Sequence, residues 1–118
     1  MSVINMLPQS GGVTRIIRQW NGTRGTTSTA LFETDSGTQT ITEAGTCVAH
    51  GYGSGGSNAV VQIYHNNTLL KDTGWVQYAA ATELFKVQAG DTVRVYVRSY
   101  KGSSWATTQS SYLICVMK

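Results

Sequence analysis

The chain has 118 residues and a net charge of +3, with nine Lys+Arg against six Asp+Glu. That length makes one domain able to bury a core without metal or disulfide staples. Charged residues are 13% of the chain, about half the usual share of roughly 25%, and the basic ones are scattered along it, which argues against nucleic-acid binding.

Thirteen glycines, many β-branched residues and few good helix formers favour short strands and tight turns. The expected fold is all-β, an antiparallel β-sandwich of about 8–10 strands. Residues 1–12 (MSVINMLPQSGG) hold the only proline and end in a glycine pair, so they read as an N-terminal leader or linker arm ahead of a single β-sandwich domain, residues 13–118. No charged and apolar leader marks a signal peptide, and no apolar run approaches the ~18 residues of a membrane span. Folding in a cytoplasm and no membrane partner are the expectations, and the sequons at Asn21 and Asn66 then carry little meaning.

Alternation predicts strands over residues 14–20, 29–34, 38–42, 46–52, 58–65, 68–71, 75–79 and 83–87. Asn66-Asn67 reads as a two-residue hairpin turn, because Asn tolerates the positive φ such turns need. Asp35-Ser36-Gly37, Asp72-Thr73-Gly74 and Gly90-Asp91 read as further turns. Residues 51–56 (GYGSGG) read as a glycine loop. They match G-x-G-x-x-G, yet a strand and not a helix follows, so no helix N-terminus is there to hold a dinucleotide. In the last third, Val93, Val95 and Val97 alternate with Arg94, Tyr96 and Arg98, as in a strand with two unlike faces. The closing run Tyr112, Leu113, Ile114, Cys115, Val116, Met117 does not alternate. A strand with both faces covered reads this way, and the expected cover is another copy of the chain. Tyr112, Ile114, Val116 and Tyr96 are the residues expected at that oligomer interface.

No catalytic or metal site is expected, and no cofactor. Cys47 and His50 are three apart and point to opposite faces of a strand. Cys47 and Cys115 sit in apolar runs and read as reduced core thiols. Two separate histidines cannot make a zinc tetrahedron, and three of the six carboxylates lie in turns. Aromatic rings near polar loops are better candidates: Trp105, Tyr100, Lys101 and Tyr52 form a possible ligand platform.

Several segments carry a resemblance: Val48-Ala-His-Gly-Tyr52, then VVQIYHNN, then FKVQAGDTVRVYV, and last SSYLICVM. Over residues 46–118 the chain resembles the trimeric jelly rolls of the tumour necrosis factor and complement head-domain type. It is similar above all to the small versions that end bacteriophage tail and head fibres. The resemblance implies a jelly-roll homotrimer with the terminal strand in the inner sheet. It also implies a non-enzymatic virion protein (fibre head, decoration or receptor-binding module) assembled in the host cytoplasm, with other virion proteins or a host cell-surface glycan as partners. A monomeric carbohydrate-binding module is the alternative, with Trp105 and Tyr100 as its stacking platform.

Overall fold

The computed structural model describes residues 14–25, 30–101 and 107–118. It is all-β and antiparallel, and its strand order is that of a jelly roll. The strands are β1 (Thr14–Gly25), β2 (Ala30–Asp35), β3 (Gln39–Thr40), β4 (Gly45–His65), β5 (Thr68–Asp72), β6 (Val76–Val87), β7 (Thr92–Lys101) and β8 (Thr107–Met117). Their hydrogen bonds form one continuous ladder that folds back on itself at β4. The first half of β4 pairs with β8 and β6, and its second half with β7 and β5. One layer is therefore β1-β8-β4-β6 and the other is β2-β7-β4-β5, with β3 extending beside β7.

The expected break at residues 51–56 is absent. That stretch is extended and belongs to β4. The glycines are needed because the two layers touch there. A Cβ on Gly51 would lie 2.6 Å from a Val61 methyl and 2.9 Å from one of Val95, and a Cβ on Gly53 would lie 2.6 Å from a Val97 methyl. Small residues on one layer face β-branched residues on the other, which lets the layers interdigitate at native density. Likewise residues 80–82, expected to interrupt a strand, continue β6.

The core lies between the layers. Cys47, Ala49, Ala79, Ala81, Val87, Tyr112, Ile114 and Val116 come from one, Val61, Ile63, Val93, Val95 and Val97 from the other. Ile41 closes one end, held by backbone bonds between Ile41 N–H and Asp91 O and between Gly90 N–H and Ile41 O. A buried hydroxyl pair, Thr34 to Ser110 at 2.9 Å, links β2 to β8 across the sandwich.

The turns follow their sequence signals. Asn66 and Asn67 both have positive φ, 50° and 66°, as a primed hairpin turn demands. Asp35 and Asp72 each accept a 2.8 Å hydrogen bond from the N–H two residues on, at Gly37 and Gly74, both in the left-handed region.

Candidate functional site

The two outer faces of the sandwich differ in chemistry. The register of β1, β8, β4 and β6 aligns side chains in rows across the first layer. One row is Thr14, Met117, Thr46 and Lys86, and the next is Ile16, Cys115, Val48 and Leu84. Then come Gln19, Leu113, His50 and Thr82, followed by Asn21, Ser111, Tyr52 and Ala80. The last is Thr23, Gln109, Ser54 and Tyr78. Lys86, at a corner, is the one Lys, Arg, Asp or Glu among these described positions. Large apolar groups stand open at both edges: Ile16 is 55% exposed, Leu84 63% and Tyr78 64%. The middle mixes polar and apolar groups, with a shallow concavity of about 470 Å³ lined by Gln19, Trp20, Asn21, His50, Ser111, Tyr112 and Leu113. His50 shares a 2.7 Å hydrogen bond with Thr82 there.

The second layer has a charged outer face, although the buried Arg98 Nε has no hydrogen-bond partner. Arg94 donates to both carboxylate oxygens of Asp35, at 2.9 and 2.6 Å. The pair holds the Asp35 carboxyl below its ordinary pKa, with the Gly37 N–H assisting. Arg98 lies 3.5 Å from Glu33. The Tyr96 ring sits between the two guanidiniums, 4.8 Å from that of Arg94 and 4.7 Å from that of Arg98. Gln62 donates to Asp72, and that bond is the main cause of the lowered Asp72 pKa. At the far end of this face Leu31, Asn58, Trp75 and Tyr100 line a shallow groove of about 340 Å³.

Four of the expected interface residues are placed differently. Tyr112, Ile114 and Val116 point into the chain's own core and are 5%, 0% and 3% exposed, so almost none of their surface is left for a second copy. The terminal strand lacks alternation for another reason: its outward residues Leu113, Cys115 and Met117 belong to the uncharged outer face. Tyr96 lies on the opposite layer from β8, among charges.

The expected ligand platform is also divided. Tyr100 lines the groove on the charged side, while Tyr52 is half-buried on the uncharged side. Lys101 ends β7, and Trp105 lies outside the described residues. Trp75, which begins a strand expected from the sequence, is 49% exposed beside Tyr100. Gly74, in the left-handed region just before it, was the available signal that the chain turns outward there.

No family model and no curated protein matches the sequence. Among solved structures, rabbit GITRL is similar at a TM-score of 0.41 and 14% identity, over 63% of this chain and 68% of that one. GITRL from bushbaby is similar at 0.39 and 16%, over 68% and 71%. At such scores the likeness carries nothing about function, and the jelly-roll assignment rests on the strand order.

The reactive side chains stay apart. Cys47 faces the core and His50 the outside of the same strand. Cys47 and Cys115 are buried free thiols on opposite faces of adjacent strands. Burial, with a smaller contribution from Cys115, pushes Cys47 from 9.0 up to about 12. Among the described residues no three of His, Cys, Asp and Glu are grouped to hold a metal. His65 bonds Asp91 at 3.0 Å, and Asp91 also accepts from the Gln88 N–H and is lowered mainly by it. These bonds close an end of the sandwich.

Proposed function

We propose that the chain is a non-enzymatic structural module that assembles as a homotrimer, serving as a fibre head, decoration or receptor-binding module of a bacteriophage virion. The observation that carries this is the uncharged outer face of β1-β8-β4-β6, set against the ion-paired face opposite. A face bare of carboxylates, with Ile16, Leu84 and Tyr78 open to water, matches the composition of subunit contacts, whose cores are depleted in charge.

The layout favours a ring over a back-to-back pair. A twofold stack would lay the amides of Gln19 and Asn21 and the His50 ring of one face on the same groups of its mate. Rotation about a threefold axis instead sets the β6 edge, with Leu84 and Tyr78, against the β1-β8 side of the next copy, with Ile16 and Met117. Such a heterologous contact closes into a ring of three when the rotation between neighbours is a third of a turn. The virion setting is supported by the resemblance of residues 46–118 to small fibre-end jelly rolls. The paired charges of the other layer then face solvent or further virion proteins.

Light scattering on the eluting protein tests the assembly. A particle of three 12.7 kDa chains is expected. A monomer at micromolar concentration would overturn it and leave the monomeric binding-module reading.

A further inference from the structure

We infer that the groove between Leu31, Asn58, Trp75 and Tyr100 is a binding site for a neutral pyranose ring of a glycan. The site lies on the layer not used for assembly, so it stands whether or not the chain forms trimers. Leu31 is 50% exposed, Trp75 49% and Tyr100 40%, around a concavity of about 340 Å³. That size falls within the roughly 300–1,000 Å³ of small-molecule sites.

The platform is held rigidly. Tyr100 is paired with Leu31 on one side and with Asn58 on the other. Its backbone is wedged against Gly55, where a Cβ would lie 2.2 Å from the Tyr100 carbonyl oxygen. Trp75 follows a turn fixed by reciprocal bonds with β4: the Val61 N–H donates to Thr73 Oγ1, and the Thr73 N–H donates to the Val61 carbonyl, each at 3.0 Å.

The lining chemistry selects the occupant. Flat ring faces suit the C–H faces of a sugar. The polar groups of the lining residues are all neutral: the Tyr100 hydroxyl, the Trp75 indole N–H and the Asn58 amide, which donates and accepts at once and so matches a hydroxyl. The charges nearest along this face, Arg98 with Glu33 and Arg94 with Asp35, are already paired. An acidic or basic ligand finds no free counter-charge among the residues that line the groove, whereas an uncharged sugar needs none.

The test is titration of the full-length protein with four neutral trisaccharides (cellotriose, maltotriose, mannotriose and triacetylchitotriose) and with trigalacturonate. The readouts are the Trp75 indole N–H resonance, assigned by its loss in Trp75→Phe, and isothermal titration calorimetry, which also reads binding in variants that lack the indole. At least one neutral sugar is expected to shift it, and Trp75→Ala is expected to weaken that binding about tenfold or more. Should Trp75→Ala fail to fold, Asn58→Ala, which keeps both rings, is expected to show a loss of similar size. The proposal is overturned if no neutral sugar moves the resonance, if trigalacturonate binds as tightly, or if folded Trp75→Ala or Asn58→Ala binds unchanged. A shift that depends on protein concentration instead of sugar would mark the groove as a contact between copies, and would overturn it as well.

Discussion

The glycines of β4 show how far a residue's meaning depends on what lies opposite it. From sequence, GYGSGG looks like a loop, because composition reports conformational freedom but not close approach. In the fold Gly51 and Gly53 are where two layers come within a methyl's width. Gly51→Ala or Gly53→Ala should each lower unfolding free energy by about 1–3 kcal/mol through overpacking, measurable as a shifted urea midpoint with an unchanged slope. Gly55→Ala should cost more, since its new Cβ would meet Tyr100 backbone, which cannot turn aside as a side chain can. Cys47 was legible as a buried thiol from its apolar run. Its pKa of about 12 in the fold, against 9.0 ordinarily, gives a signed prediction. Below about 9 both folded and unfolded chains keep the proton. As pH rises beyond that, the unfolded thiol ionises while the folded one resists, so stability falls toward pH 12. Iodoacetamide should leave Cys47 unmodified in native protein at about pH 8 and alkylate it in urea, as peptide mass mapping would show.

At the scale of elements, turns were the most legible feature and strand ends the least. Asn66-Asn67 and the two Asp-x-Gly turns were readable because each rests on local chemistry: a positive φ, or a carboxylate bonding its own backbone. Joining residues 46–52 to 58–65 in one strand depends on partners far along the chain, which no local pattern encodes. The same turns govern acid stability. Asp35 is lowered chiefly by Arg94, Asp72 by Gln62 and Asp91 by the Gln88 N–H, then by His65. A carboxyl depressed in the folded state contributes stability above its unfolded pKa, and that contribution is lost as pH falls through the depressed value. Urea midpoints should therefore hold steady from about pH 7 down to about pH 5 and decline below about pH 4. Asp35→Asn should lower the midpoint at about pH 7, yet match the parent near pH 2, where both side chains are uncharged. A constant difference across that range would mean that Arg94 contributes through packing and not through charge.

For the whole molecule, period-two patterns say that a strand has two faces but not which face meets which layer. That is why Tyr112, Ile114 and Val116 were read as interface when they are core, and why Tyr96 was placed with them although it lies across the sandwich. The terminal strand lacks alternation because its outward residues Leu113, Cys115 and Met117 are apolar as well as its inward ones. A heterologous ring makes a demand on that face that a monomer does not. Dissociation coupled to unfolding makes the melting temperature depend on protein concentration, since subunits bind the native chain and not the unfolded one. The parent protein should melt higher at about 100 μM than at about 1 μM, a shift that mass action fixes in sign. Leu84→Lys would place an ammonium at the β6 edge, where in the proposed ring it would be buried against Ile16 of the next copy, and Glu43, the carboxylate near that edge, is already bound to Arg15 and Lys118. It should run as a monomer with a concentration-independent melting temperature. Because Leu84 is 63% exposed in the single chain, the isolated fold should keep its circular dichroism spectrum. Tyr96→Ala, on the opposite layer, should leave the concentration dependence intact. If Leu84→Lys kept that dependence while Tyr96→Ala removed it, the assembling face would have to be moved to the other side of the sandwich.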